Sequence, residues 1–243
     1  MRFISVSRSL GAIALASLAL TAVPARAATY DAVADFQIAA NPGGVWSYGY
    51  SHDAGPSYSM IQFDDSASTS GWLSWTKAGY VSLGTPTAAK NISGSTISGA
   101  LSGQLILHPG PAANADYAIL RFTAPVTATY DVVGQFYAGD IGSMSGSVVL
   151  GGDLANPLQF FSNTTDASTF SFSSLMLTQG ETLDLAVGNN GNYFYGTTPV
   201  SMTITTAVPE PSSVALMFAG AAMVAWALRR RPVGVRPAPA AQL

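Results

Sequence analysis

Two histidines, His52 and His108, are the side chains best suited to acid–base chemistry near neutral pH. A Ser-His-Asp hydrolase would use one of them as its base, but the chain has no G-x-S-x-G nucleophile elbow. His52 stands in a predicted loop, and His108 stands at a predicted strand end before a Pro-Gly pair. We expect both to be structural, with His108 bonded to backbone. A secreted hydrolase acting on polysaccharide or ester substrates, with His52 or His108 in its site, is the alternative function.

The acidic side chains offer no clear catalytic pair. Glycoside hydrolysis needs two facing carboxyl groups, whereas the adjacent Asp64 and Asp65 would point to opposite faces of a strand. The histidines could meet Asp53 or Asp116 around a metal, but no ligand spacing singles out such a site. The chain has no cysteine, which excludes thiol catalysis and Cys-based metal sites. We therefore predict that the protein is not an enzyme.

A structural calcium ion is the one cofactor that stays a candidate. Calcium takes carboxylate, amide and carbonyl oxygens. Asp140, Asp153 and the Asn-rich loop at residues 189–192 supply such groups. The chain has no D-x-D-x-D-G loop, so we assign no residue as a metal ligand and predict no other cofactor.

Aromatic side chains are the candidates for ligand binding, because their rings stack on the apolar faces of sugars. Trp46, Tyr48 and Tyr50 alternate along the chain, so on a strand they share one face. Tyr193 and Tyr195 lie beside the Asn-rich loop, whose amides could bond sugar hydroxyls. The alternative for these residues is burial in the core, which is usual for Trp and Tyr. It applies most strongly to Trp46 and Trp72.

The region that must position these side chains has the pattern of short β-strands. Apolar and polar residues alternate through Tyr130–Tyr137, Phe170–Leu177 and Leu183–Val187, with turn-forming residues between such segments. Further predicted strands are Trp72–Thr76, Tyr80–Leu83, Gln104–Leu107, Tyr117–Phe122, Met144–Leu150, Leu158–Ser162 and Met202–Ile204. Strands with one apolar face bury that face on a second sheet. The sequence therefore predicts an all-β, jelly-roll-like antiparallel β-sandwich.

The charge of this region excludes one class of partner. Between residues 28 and 207 three basic residues stand against twelve acidic ones, a net charge of −9. Phosphate backbones repel such a surface, so we expect no nucleic-acid partner.

The N-terminus has the three parts of a secretory signal peptide. Arg2 and Arg8 give a positive start, Leu10–Val23 is apolar, and Ala25-Arg26-Ala27 is an A-x-A cleavage site. The sequence predicts a signal peptide helix over residues 1–27, with cleavage after Ala27 and export across the inner membrane.

The C-terminus combines a short extended motif, an apolar run and a basic cluster. Pro209, Glu210 and Pro211 prevent regular helix. The apolar run Val214–Leu228 is at the short limit for spanning a bilayer. Arg229, Arg230 and Arg231 follow it directly, so they would stay on the cytoplasmic side as a stop-transfer cluster.

This order resembles the PEP-CTERM sorting signal of exported bacterial proteins. The resemblance implies recognition of Pro209-Glu210-Pro211 by an exosortase, a membrane protease-transpeptidase of bacteria that make extracellular polysaccharide. The central region, from Asp35-Phe36 to Val187-Gly188-Asn189, also resembles a β-sandwich module of exported proteins; that likeness implies a fold and a location but no reaction.

These predictions divide the chain into four parts: a signal peptide (1–27), a β-sandwich domain (28–207), a sorting and transmembrane segment (208–231) and a disordered tail (232–243). The predicted function is that of a non-catalytic structural or glycan-binding module at the cell surface or in the extracellular matrix. Its expected partners are an exosortase, the membrane through the C-terminal helix, and extracellular polysaccharide.

Overall fold

The strands of the protein are described by a computed structural model that covers residues 27–52, 56–78, 84–111 and 116–206, together with residues 220, 223, 224 and 226. Residues 27–207 form one compact unit, and residues 1–26 with 208–243 form a second. In the described part of the first unit the regular backbone is all strand.

The strands follow one another with short connections. In chain order they are β1 (Thr29–Asp31), β2 (Trp46–Ser51), β3 (Ile61–Gln62), β4 (Asp65–Thr69), β5 (Trp72–Thr76), β6 (Thr87–Asn91), β7 (Leu105–His108), β8 (Tyr117–Thr123), β9 (Ala128–Phe136), β10 (Ser145–Leu150), β11 (Gln159–Phe161), β12 (Ser168–Leu177), β13 (Thr182–Gly188) and β14 (Thr198–Thr206).

Two antiparallel sheets contain these strands. The larger sheet has the order β12-β9-β14-β7-β6-β5-β4, with β1 also paired to β14. The smaller sheet has the order β11-β10-β13-β8-β2-β3. The predicted all-β antiparallel sandwich is therefore confirmed. The predicted terminal helices and the predicted strand Tyr80–Leu83 lie outside the described residues, apart from helical positions at 220, 223, 224 and 226.

Alternating side chains of both sheets meet in one core. On β13, Leu183, Leu185 and Val187 point inward, as the two-residue period of a strand requires. Phe122 on β8 and Tyr130 on β9 reach the same cluster from the smaller and larger sheets. The predicted alternation at Leu183–Val187 thus marks a real inward face.

The outer face of the smaller sheet is covered by its own polar cluster. Arg121 on β8 donates from Nε and Nη2 to the two carboxylate oxygens of Asp184 on β13, each at 2.8 Å. The two residues are direct cross-strand partners. Tyr58, from the segment laid over this face, donates its hydroxyl to Asp184 at 2.7 Å. Burial raises the pKa of Asp184, and the donors from Arg121 and Tyr58 oppose that shift.

Candidate functional site

A groove crosses the outer face of the larger sheet over β4, β5, β6 and β7. Its volume is about 490 Å³. On β5, Trp72, Ser74 and Thr76 line the groove, while the alternate Leu73 and Trp75 belong to the core side. The groove is therefore built from the residues that the strand period leaves facing outward.

The walls of the groove combine hydroxyl groups with apolar surface. The hydroxyl side chains include Thr69, Ser74, Thr76, Thr85, Thr87 and Thr197. Trp72 packs with Ala89 and Ile106 to form an apolar floor. A saturated ring carrying hydroxyl groups presents the same mixture of apolar face and polar edge, so such a ring is complementary to this lining.

Thr85 lines the groove, and its hydroxyl has no protein partner among the described residues. The side chain is only 6% exposed, and its Oγ1 has almost no exposed surface. By contrast, the Thr87 hydroxyl donates to the Trp75 carbonyl at 2.8 Å and the Thr76 hydroxyl to the Pro86 carbonyl at 3.2 Å. Because Thr85 Oγ1 is enclosed, a ligand in the groove does not reach it, and its unsatisfied state is a cost to the fold.

His108 lines the groove in a neutral form. Its Nδ1 lies 2.8 Å from the Pro109 carbonyl oxygen, which can only accept, so Nδ1 carries the hydrogen. Burial lowers the pKa of His108, against smaller opposing effects of the Pro109 carbonyl and Asp140. Nε2 is then an acceptor for a ligand hydroxyl. The expected backbone bond of His108 is confirmed.

Asp140 adds the one carboxylate among the described residues that line the groove. Its backbone nitrogen donates to the Thr197 carbonyl at 3.0 Å. A side chain at the preceding Gly139 would collide with that same carbonyl oxygen, so the glycine permits the close approach that brings Asp140 to the groove.

Tyr195 stands at the rim and is 62% exposed as a residue. Its φ of 58° is in the left-handed region, where bulky residues are uncommon and strained. Tyr193 is half-buried instead and packs its ring against Phe194 at 4.5 Å and edge-on to His108 at 6.4 Å. Of the two tyrosines, Tyr195 reaches the groove and Tyr193 supports His108.

The prediction that Trp46, Tyr48 and Tyr50 bind a ligand is wrong. They do share one face of β2, but that face is the core, where they are 1%, 1% and 4% exposed. Trp46 satisfies its indole N–H with Asp35 at 3.0 Å, and Tyr50 stacks on Phe63 at 5.6 Å. Rings enclosed in this way offer no face to a sugar, so the alternative of core burial holds.

The other histidine, His52, directly follows the last residue of β2. Its Nδ1 contacts Oδ1 of the buried Asp116, while the imidazole is half-exposed. Ser51 is the partner of Tyr117 in the register of β2 and β8, so His52 and Asp116 continue that pairing by one residue. The contact ties two neighbouring strands. Asp53 lies outside the described residues.

The candidate calcium ligands are engaged in their own loops. Asp153 accepts from Asn156, Asn189 bonds Gly110 and Gly191, and Asp140 accepts from Ile141 N. Within the described residues no group of three or more acidic or histidine side chains could hold a metal ion.

Two groove residues escaped prediction as site residues, Trp72 and Thr85. The opposite parity of Trp72 and Trp75 signalled that one of them faces outward, but not which one. Thr85 carries no sequence signal, because its unpaired state depends on neighbours from other strands.

The predicted sorting motif Pro209-Glu210-Pro211, the cluster Arg229–Arg231 and most of Val214–Leu228 lie outside the described residues. In the part of the chain that is described, the structure contains no helix with the length and apolarity needed to cross a membrane.

Comparison with known proteins identifies the C-terminal segment. Residues 207–231 match the model of the PEP-CTERM protein-sorting motif. This confirms the resemblance found in the sequence. The motif implies export, C-terminal anchoring before processing, and exosortase-dependent processing. No curated protein matches the chain.

Several solved structures show a partial likeness to this chain at low sequence identity. A family 35 carbohydrate-binding module from Clostridium thermocellum is 13% identical, covering 46% of this chain and 85% of that one, with a TM-score of 0.31. CBM51 from Clostridium perfringens GH95, solved with methyl-galactose, is 14% identical, covering 60% and 95%, with a TM-score of 0.31. Pika GITRL is 11% identical, covering 37% and 76%, with a TM-score of 0.26. Likeness at this level carries no inference about the present chain.

Proposed function

We propose that this chain, which carries a PEP-CTERM protein-sorting motif at residues 207–231, is an exported, non-catalytic module that binds glycan through the groove over β4–β7. The motif sends the protein out of the cytoplasm and anchors it by the C-terminal apolar run until an exosortase processes it. The β-sandwich then stands at the cell surface or in the extracellular matrix, where polysaccharide is its partner.

The observation that carries the proposal is the composition of the groove. Trp72 and Tyr195 bring aromatic surface to a cavity of about 490 Å³ whose other walls are largely hydroxyl groups. Aromatic stacking with a few placed polar groups is the usual way in which a protein holds a sugar of one to three rings. The acidic wall and the neutral His108 supply acceptors for sugar hydroxyls.

The module acts without catalysis in this proposal. His108 bonds to backbone, and His52 pairs with Asp116 on the strands of the other sheet. Asp140 is the single carboxylate among the described lining residues, whereas glycoside hydrolysis uses two. The hydrolase alternative therefore lacks a supporting observation at the groove.

The test is binding by the full-length protein, purified in a polyoxyethylene detergent that carries no sugar. We expect retention on at least one polysaccharide in affinity electrophoresis and on a glycan array. Trp72→Ala removes the apolar floor and is expected to weaken binding on the order of tenfold or more, as loss of an aromatic anchor commonly does.

The matched control is Trp75→Phe, which changes the neighbouring tryptophan on the opposite face of β5 and leaves the groove lining unaltered. This variant should bind as the unchanged protein does, even if its stability falls. Absence of retention on every polysaccharide, including the producing cell's own, would leave the module without a glycan-binding role.

A further inference from the structure

The distribution of cations over the β-sandwich bears on which glycans its groove accepts. Between residues 28 and 207 the sequence has only three basic residues, Lys77, Lys90 and Arg121. A uronate, sulfate or phosphate group on a sugar is normally held by such residues. Where these three side chains lie therefore decides whether the groove can hold an anionic polymer.

Two of the three basic residues directly follow groove-lining residues in the chain, but their side chains point away from the groove. Lys77 follows Thr76 and places its Nζ 5.2 Å from the ring centroid of Tyr50, which is a core residue. Lys90 follows Ala89 and donates its Nζ to the Val33 carbonyl at 2.6 Å. Thr76 and Ala89 line the groove. On β6 the strand period sends Lys90 to the opposite face of the sheet, while Lys77, just beyond the end of β5, turns toward the core ring of Tyr50.

The third cation belongs to the other sheet. Arg121 lies on β8 and donates hydrogen bonds from Nε and Nη2 to the two carboxylate oxygens of Asp184. All three cations are thus engaged at positions outside the groove lining, while Asp140 contributes a negative charge to that lining. The segments outside the described residues next to β5, β6 and β8, residues 79–83 and 112–115, contain no Lys or Arg.

We infer that the groove selects uncharged glycans and rejects polymers that carry carboxylate or sulfate groups, an inference that rests on the proposed glycan-binding function. Ring faces stack on Trp72 and Tyr195, and hydroxyl groups reach His108 Nε2 and the Asp140 carboxylate. An acidic sugar in the same position meets Asp140 without a compensating cation. The net charge of −9 on the β-sandwich region adds a long-range repulsion.

The experiment compares one polymer in two charge states. Full-length protein is tested against polygalacturonate and its fully methyl-esterified form, and beside them against neutral galactomannan, glucan and xylan, anionic alginate and cationic chitosan. We expect the neutral polymers and the ester to be retained in preference to polygalacturonate and alginate. The preference should shrink as salt is raised, since salt screens the repulsion.

A charge variant locates the selectivity in the groove. Asp140→Asn keeps an acceptor oxygen for the Ile141 nitrogen that Asp140 now accepts from, so the loop should fold unchanged. We expect this variant to bind polygalacturonate on the order of fivefold better at low salt, the effect of removing one nearby charge. Asp153→Asn changes the net charge equally at a loop outside the groove lining, and it should alter nothing.

Four results would contradict the inference, and the last of them would contradict the proposed function as well. If polygalacturonate binds as tightly as its ester or more tightly, and neutral polymers also bind, the groove does not select by charge but still binds glycan. If chitosan binds more tightly than the neutral polymers and this preference disappears at high salt, the ligand of the groove is cationic and not uncharged. Equal effects of Asp140→Asn and Asp153→Asn remove the groove as the cause. Failure to retain any polymer sinks the proposed function as well.

Discussion

Two buried hydroxyl groups in this protein make no hydrogen bond among the described residues, and they are placed differently. Thr85 Oγ1 lines the groove, whereas the Tyr48 hydroxyl is enclosed in the core. Burial of an unsatisfied hydroxyl destabilises a fold. Both hydroxyl oxygens are enclosed, so no ligand in the groove offsets that cost.

Replacement of each hydroxyl measures this cost. Thr85→Val and Tyr48→Phe should each raise the free energy of unfolding by about 1 kcal/mol, because each removes an unsatisfied polar atom and nearly keeps the shape. Neither variant should weaken retention on a neutral glycan, because both hydroxyl oxygens are enclosed. Urea denaturation measures stability and affinity electrophoresis measures retention; a lower free energy of unfolding in either variant would contradict this account.

His108 gives the protein a pH dependence with a definite sign. Burial lowers the pKa of His108 in the folded state, so the unfolded chain takes up the proton first as pH falls. Below the ordinary histidine pKa of about 6.5 this linkage favours unfolding. Stability should therefore drop between pH 7 and pH 5.

The variant His108→Asn tests this linkage, since its amide can still donate to the Pro109 carbonyl. We expect the difference between the urea midpoints at pH 7 and pH 5 to be smaller in this variant than in the unchanged protein. His52→Asn is the matched change at the other histidine and keeps the His108 contribution. An undiminished pH difference in His108→Asn would show that burial does not control this titration.

At the scale of elements, the pair of central strands β8 and β13 is joined by a buried ion pair as well as by its ladder. Asp184 is fully buried, and each of its two carboxylate oxygens accepts a hydrogen bond from Arg121. The Tyr58 hydroxyl donates a third hydrogen bond to the same carboxylate. A satisfied buried pair adds little net stability, but a broken one leaves an uncompensated charge.

Removal of one partner should therefore be far more damaging than removal of both. Arg121→Met is expected to lower the free energy of unfolding by about 3 kcal/mol or more, and Arg121→Met combined with Asp184→Leu should recover a large part of that loss. Urea unfolding of the single and double variants measures the coupling. Asp166→Asn, an exposed acidic site, should change stability by no more than about 0.5 kcal/mol; additive losses in the double variant would contradict the ion-pair account.

At the scale of the whole molecule, the ends of the β-sandwich unit lie side by side. Strands β1 and β14 pair from Thr29 with Thr205 to Asp31 with Thr203. The Ala28 nitrogen lies 2.8 Å from Thr206 Oγ1, and the Thr206 nitrogen donates to the Ala28 carbonyl at 2.9 Å. The predicted cleavage after Ala27 and processing beyond Ala207 would therefore both act next to this pair of strands.

The sorting motif predicts a clear phenotype for its acidic residue. Glu210→Ala should block exosortase processing, because it removes the carboxylate that stands between the two prolines of the motif, so that a C-terminal epitope tag stays with the protein in the membrane fraction. Pro237→Ala, in the tail beyond residues 207–231, should be processed normally. Immunoblots of membrane and released fractions measure both, and normal loss of the tag in Glu210→Ala would exclude recognition through Glu210.

The sequence by itself predicted strands β5 and β7 to β14, because strand formation there follows a local pattern, whereas β1 to β4 and β6 were not among the predicted strands. The strand Trp72–Thr76 has the predicted bounds, and Tyr117–Phe122 and Leu183–Val187 differ by only one residue at their ends. The sorting motif was also readable, since its order of Pro-Glu-Pro, apolar run and arginines is linear in the chain.

The identity of the two faces was decided only by tertiary structure. Alternation shows that Trp46, Tyr48 and Tyr50 share a face and that Trp72 and Trp75 do not, yet both faces of a strand can carry aromatic residues. Which one is buried depends on where the second sheet packs, and that depends on the order β7-β6-β5-β4 and on pairings between residues far apart in the chain. The groove exists because of that packing, as does the unpaired hydroxyl of Thr85, so neither is a property of any one segment of sequence.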